Sequence, residues 1–185
     1  MDPEIIAGKV KTMTDWIAAS FEDGTYVGSI GILVEGTFAV VKNGKVENCD
    51  FGVNVEDDEK NTVTNVNAIN NAFGISTFSE NNWIGFNRAF DNAFGINAFA
   101  DNNSFKSNSA FGNGFGLAIF NDFNLVLSNI AKNNGFGIFV DGQNNTIKFN
   151  TALNNSQDLS DDNTNCDNNL WKYNKFNTRN QSCIR

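Results

Sequence analysis

Histidine is missing from this chain, proline occurs once, and cysteine occurs three times among 185 residues. Losing histidine removes the commonest general base and the commonest transition-metal ligand together, and with them every Ser–His–Asp or Cys–His nucleophilic arrangement. Cys49, Cys166 and Cys183 are too scattered for a zinc pattern. The glycines form neither a P-loop nor a dinucleotide fingerprint. Leucine is scarce, which disfavours a leucine-rich solenoid. No apolar run is long enough to span a membrane, and no signal-peptide pattern opens the chain. A formal net charge of −8 argues against nucleic acid and anionic membrane surfaces as partners.

One strong regularity stands against these absences. Phe-Gly-(Ile/Leu) recurs every 21 residues at Phe73-Gly74-Ile75, Phe94-Gly95-Ile96, Phe115-Gly116-Leu117 and Phe136-Gly137-Ile138. Other columns keep the same step: Asn61, Asn82, Asn103, Asn124 and Asn145; Asn71, Asn92, Asn113, Asn134 and Asn155; and Val66 followed by Asn87, Asn108, Asn129 and Asn150. Ala68, Ala89, Ala110, Ala131 and Ala152 form an alanine column, and Val63, Ile84, Phe105, Val126 and Ile147 an apolar one. The pattern reaches upstream to Gly31-Ile32, with Cys49 at an asparagine position and one residue inserted within Glu56–Glu59. Downstream, three extra residues delay the last unit, Asn169–Asn174.

A unit this short cannot bury a core alone and must stack on its neighbours. Short period-2 alternations bounded by Asn, Gly, Asp and Ser read as strands and turns. Three of each fill the unit and leave no room for a helix, so the expected fold is an all-β parallel solenoid of about seven coils. Stacked at roughly 4.8 Å, asparagine amides can bond the coil above and below, and at a tight bend an Asn also tolerates left-handed dihedrals. The glycine column marks either a close approach or a positive φ. Phe73, Phe94, Phe115 and Phe136 are expected in the core, on strand parity with the inward isoleucines. Phe78, Phe99 and Phe120, or Phe90 and Phe111, would form a hydrophobic ridge if they face outward, hence a partner or self-association surface. Periods of six or five residues, which left-handed β-helices and pentapeptide repeats require, do not divide 21.

One domain is expected, in three parts: a capping segment over 1–28, the solenoid over 29–178, and a tail over 179–185 that closes the last coil. Asp2-Pro3-Glu4 is a helix start, and Ile6, Val10, Met13, Ile17 and Phe21 share one helical face. Such a helix would cover the open first coil.

The segments Asn144–Asn155 and Asn134–Ile138 resemble right-handed parallel β-helix repeat proteins of the pectin-lyase-like superfamily. The likeness is to the short-repeat class that includes the periplasmic nitrous-oxide-reductase accessory protein. The resemblance implies a carbohydrate-associated, non-catalytic binding or structural role outside the cytoplasm, in the periplasm, at the cell surface or secreted, with polysaccharide as the partner class. Sequons such as Asn154-Asn155-Ser156 inside the ladders lean toward a bacterial source. Asn168–Thr178 is similar to a family segment that ends near a cysteine, which implies a Cys166–Cys183 disulfide; two free thiols are the alternative. The superfamily's polygalacturonases and alginate epimerases use histidine and are excluded. Its calcium-dependent pectate lyases need clustered carboxylates and an arginine base, and the neighbours of Arg88 in adjacent coils, Asn67 and Ser109, supply no cluster. No catalytic residue is assigned. A polysaccharide lyase and a self-assembling surface scaffold remain the alternative readings.

One polar row stands out. Glu59, Glu80, Asp101 and Asp122 each lie two residues before an asparagine of the 61–145 column. In stacked coils they leave the same turn about 4.8 Å apart, where they offer a binding row for sugar hydroxyls or a cationic partner. Glu80, Asp101 and Asp122 are the calcium candidates. The plain alternative is a solvated acidic turn, with Asp161 and Asp162 as loop solvation.

Overall fold

The computed structural model describes residues 30–57 and 59–185, together with the backbone of two short strands, Lys9–Val10 and Ala18–Ser20. Each coil runs through three strands on three parallel sheets. Sheet 1 carries the five-residue strands Ile30–Val34, Phe51–Val55, Phe73–Thr77, Phe94–Ala98, Phe115–Ile119, Phe136–Val140 and Gln157–Asp161. Sheet 2 stacks Val40–Lys42, Thr62–Thr64, Trp83–Gly85, Ser104–Lys106, Leu125–Leu127, Thr146–Lys148 and Leu170–Lys172. Sheet 3 stacks Lys45–Glu47, Asn67–Ile69, Arg88–Phe90, Ser109–Phe111, Ile130–Lys132 and Thr151–Leu153. The single helical element among the described residues is a 3-10 turn, Thr164–Cys166.

Each sheet turns one set of side chains inward, and these form the core. Sheet 1 contributes Ile75, Ile96, Leu117 and Ile138, sheet 2 contributes Ile84, Phe105, Val126 and Ile147, and sheet 3 contributes Ala68, Ala89, Ala110, Ala131 and Ala152, all fully buried. Apolar stacks on apolar at the strand spacing, with alanine on alanine from Ala68 to Ala152 in sheet 3 and Phe105 between Ile84 and Val126 in sheet 2. Burying an isoleucine of this kind contributes about 1.5–3 kcal/mol.

Three asparagine ladders hold the corners. At the corner between sheets 2 and 3, Asn108 Oδ1 accepts from the Asn87 backbone N–H (3.0 Å) and from Asn87 Nδ2 (3.1 Å). Asn108 Nδ2 in turn donates to the Ile84 carbonyl (2.8 Å) and to Asn129 Oδ1 (3.0 Å). The corner between sheets 3 and 1 repeats this through Asn71, Asn92, Asn113, Asn134 and Asn155. At the corner between sheets 1 and 2 the side-chain oxygen still caps the backbone one coil back, while Asn82 Nδ2 bonds its own turn at Ser79.

Two local expectations are corrected. The left-handed residue is not the ladder asparagine but the one before it: Asn81 (φ 59°), Phe86 (φ 59°) and Asp91 (φ 55°) precede Asn82, Asn87 and Asn92. The ladder amide needs the inward direction, so its predecessor makes the bend. The Phe-Gly phenylalanines are also outside the core. Phe94 pairs with Phe73 and Ile96 with Ile75, but the intervening Gly95 and Gly74 drop out of the pairing, so Phe and Ile do not share a face. The rings are half-buried and stack outside sheet 1, with centroids 4.8 Å apart for Phe51–Phe73, 5.0 Å for Phe73–Phe94 and 4.8 Å for Phe94–Phe115. Phe78, Phe99 and Phe120 form a second column edge-on to the first. Glycine is required because a Cβ on Gly95 would lie 2.6 Å from the Gly116 carbonyl and 3.1 Å from the Asn113 amide. Close approach, not φ, explains that column.

Most of the expected N-terminal helix, including Ile6, Met13, Ile17 and Phe21, lies outside the described residues. Where the segment is described it is strand: Lys9–Val10 pairs with Leu33–Val34, and Ala18–Ser20 with Lys45–Glu47. An open sheet edge accepts further strands readily.

The C-terminal end is closed by side chains. Asp161, expected as loop solvation, is fully buried: its oxygens accept from Asn163, Asn169 and the Trp171 indole N–H (2.7 Å). With no following coil, the last turn needs an acceptor of its own. Asp158 ends the ladder between sheets 3 and 1, accepting from Asn155 Nδ2 (2.9 Å) and the backbone N–H groups of Asn177 (2.8 Å) and Thr178 (3.1 Å). Ile184 is fully buried against the core, and Cys166 and Cys183 form a disulfide with Cα atoms 6.1 Å apart.

Asn108→Ala leaves several buried donors and acceptors unpaired and is expected to cost about 3–5 kcal/mol, at 1–3 kcal/mol per orphaned group. Asn133→Gly, at an exposed left-handed position, is expected to change stability by under about 0.5 kcal/mol. Urea titrations of both variants check this. Burial pushes the Asp158 carboxyl up, but the N–H donors of Asn177, Asn155 and Thr178 outweigh it and hold the group below its ordinary value. Its stabilisation is therefore present above the unfolded carboxylate range and is lost as pH falls through the lowered value. Melting curves from neutral pH into acid should steepen below about pH 4, and Asp158→Ala should flatten that dependence.

Candidate functional site

The corner between sheets 3 and 1 spends three residues per coil, and each has a different task. The first is left-handed and points out: Asn48, Asn70, Asp91, Gly112, Asn133 and Asn154. The second is the ladder asparagine, with Cys49 in its place in the first coil, where the Cys49 N–H still donates to Asn71 Oδ1 at 3.0 Å. The third is small in four successive coils, Ala72, Ala93, Gly114 and Gly135, with Asp50 ahead of them. The Phe51–Phe136 ring column follows directly.

These columns build a trough parallel to the coil axis. One wall is a row of amides and carboxylates, within which Asn70 Nδ2 donates to Asn48 Oδ1 at 2.7 Å. The floor is methyl groups and bare backbone, and the other wall is phenylalanine edges. The floor stays low for a packing reason: a Cβ on Gly114 would lie 2.6 Å from the Ala93 carbonyl, and one on Gly135 would lie 2.6 Å from that of Gly114. At the N-terminal end the trough deepens into a concavity of about 300 Å³ lined by Asn48, Asp50, Asn70, Ala72, Asp91 and Ala93. The residues that make it were legible as columns, but not as a groove, because periodicity alone does not assign facing at a turn.

The acidic row takes its place on the corner between sheets 1 and 2, away from the trough. Glu59 and Glu80 are exposed, whereas Asp101 and Asp122 are half-buried and work for the stack. Asp101 Oδ1 accepts the Asp122 backbone N–H at 2.9 Å, and Asp122 Oδ1 accepts that of Gln143 at 2.7 Å. Among the described residues no three Asp, Glu or Cys side chains gather where a metal ion would be held. Glu80, Asp101 and Asp122 therefore stand as a file of separate carboxylates rather than a cage. Arg88 sits on sheet 3 between Asn67 and Ser109.

Comparison with known families places this geometry. The model of the right-handed β-helix region matches residues 30–182. The chain belongs to the right-handed β-helix family. The match begins at the first fully described strand and ends within the C-terminal closure, so it covers every coil from Ile30 onward. No curated protein and no solved structure gives a match. No helix among the described residues of this β-helix is long and apolar enough to cross a membrane.

Cys49 lies at the rim of the trough and is chemically quiet. Burial pushes its thiol up, with Asp50 and Glu47 adding to the shift, to about 12. Only the thiolate is a nucleophile. Ellman's reagent is expected to find no reactive thiol in the folded β-helix and one equivalent from Cys49 in denaturant, the disulfide being left intact.

Proposed function

We propose that this β-helix is a non-catalytic binding module, carbohydrate-associated and extracytoplasmic, and that an extended glycan lies along the trough between sheets 3 and 1. The trough's composition carries the reading: a periodic amide and carboxylate wall at Asn48, Asn70, Asp91, Asn133 and Asn154 faces an apolar wall of phenylalanine edges across an alanine and glycine floor. Amides and carboxylates bond sugar hydroxyls in pairs, and the apolar wall shelters the C–H faces of the ring. A ligand that repeats along its length suits a surface that repeats with each coil. The stacked phenylalanines present their edges and spend their faces on one another, so they act as a wall rather than as a stacking platform.

Chemistry beyond binding finds little support. The chain has no histidine to form an acid–base pair with a trough carboxylate. The Cys166–Cys183 bond fits an oxidising compartment, which favours the extracytoplasmic location.

A glycan array followed by calorimetry on the hits tests the reading. Asp91→Ala and Asn70→Ala are each expected to weaken binding about tenfold, equivalent to about 1.4 kcal/mol. Ala93→Trp, which fills the exposed floor, is expected to abolish binding while the melting temperature holds. Unsaturated or reducing-end products on incubation with the bound glycan would overturn the non-catalytic reading, and unchanged affinity in all three variants would remove the trough as the site.

A further inference from the structure

We propose that the outer face of sheet 2 is a self-complementary surface through which two copies of this chain pair side by side. Three independent observations converge on that face. The first is charge. The corner between sheets 1 and 2 carries Glu59, Glu80, Asp101, Asp122 and Asp141, and Lys60 is its one described cation. The far rim of the same sheet carries Lys42, Arg88, Lys106, Lys148 and Lys172, while Lys45 beside them is already ion-paired with Glu47 of sheet 3 at 2.6 Å. Lys148 and Lys172 are direct neighbours in register, as are the acids of successive coils on the opposite rim. Like charges stacked at this spacing repel, and each row gains from an opposite row.

The second is exposed apolar surface. Phe38 (64%), Phe86 (52%), Phe123 (57%), Phe149 (57%), Leu170 (45%) and Tyr173 (63%) all lie on sheet 2 or its two corners. The third is backbone strain. Every one of those aromatic residues has positive φ: Phe38 62°, Phe86 59°, Phe123 56°, Phe149 59° and Tyr173 59°. A bulky residue in the left-handed region costs about 1–2 kcal/mol, whereas asparagine, which visits that region more readily, holds the equivalent position in several other coils (Asn43, Asn65, Asn81, Asn102 and Asn144). The corner that forms the trough places no aromatic residue there.

Symmetry decides the occupant. Rotating a second copy by half a turn about an axis parallel to the coils, set in front of sheet 2, brings each acidic rim opposite the other's basic rim. Both copies then use the same patch, as a closed two-fold dimer requires. Seven strands at about 4.8 Å by about 15 Å across give roughly 500 Å² per copy, near the lower limit for a stable interface. The dimer is therefore weak and salt-sensitive.

Sedimentation velocity across a concentration series tests this. Average mass is expected to approach about twice the monomer at about 10 mM salt and to fall back at about 1 M, where the Debye length shrinks from about 30 Å to about 3 Å. Reversing one rim (Lys42→Glu, Lys106→Glu, Lys148→Glu) or the other (Glu59→Lys, Glu80→Lys, Asp141→Lys) should each abolish pairing, and mixing the two triple variants should restore it. Circular dichroism melts establish that both variants are folded. If the mixed pair stays monomeric, or either variant alone pairs like the parent, the proposal fails. It fails equally if the parent stays monomeric at low salt and instead retains a sulfated polyanion through the basic rim.

Discussion

Everything in this molecule hangs on a buried amide that must find a partner one coil away. Each ladder asparagine sits at a corner with little access to water, and its oxygen closes the backbone of the preceding coil; at two of the three corners its nitrogen also reaches the next coil, and at the third it bonds its own turn. An unpaired amide there costs about 1–3 kcal/mol, so asparagine recurs coil after coil, and apolar or thiol side chains replace it only toward the N-terminal end, as at Val66 and Cys49, whose N–H groups Asn87 and Asn71 still accept. Length is policed by the same bonds. The extra residue near Asp57 and the three extra residues before Asn169 both fall in the corner between sheets 1 and 2, where the amide nitrogen bonds its own turn. The other two corners, whose amides bond between coils in both directions, carry no insertion among the described coils. The ends follow from the same demand: Asp158 and Asp161 supply the oxygens that a further coil would have supplied.

That constraint leaves the outward surface free, and the three sides use it differently. Sheet 1 is panelled by phenylalanine rings that satisfy one another. The corner between sheets 3 and 1 alternates polar walls with a floor kept low by packing. Sheet 2 is bordered by opposite charges and by aromatics held in a costly backbone conformation. The first side stabilises, the second carries the proposed glycan trough, and the third carries the proposed pairing face. One repeat thus carries separate duties because adjacent positions in a coil face different directions.

Net charge illustrates what a bulk property hides. The value of −8 describes the whole chain, yet the basic rim of sheet 2 is a local surface of the opposite sign. Lys106, Lys148 and Lys172 share a column, and Lys45 and Arg88 another, so the row was present in the period from the start. Its meaning was not, because a lysine column across a sheet from a glutamate column becomes a rim only when both point away from the core. Phe73 shows the reverse. Its parity with Ile75 implies a core position, and a single unpaired glycine puts it outside.

The approximate number of coils, three short strands to each coil and the columns where amides stack were determined by the sequence alone, since a 21-residue period with recurring Asn, Gly and Ile admits one kind of stacking. The acidic file was equally visible as a column. Tertiary structure alone decided direction: which of two neighbouring residues turns inward at a left-handed bend, that Asp101 and Asp122 bond the backbone of the next coil, and that Ala72, Ala93, Gly114 and Gly135 line a groove. The reason is geometric. Periodicity records which residues lie above one another, whereas facing at a turn depends on backbone dihedrals that change sign from one residue to the next.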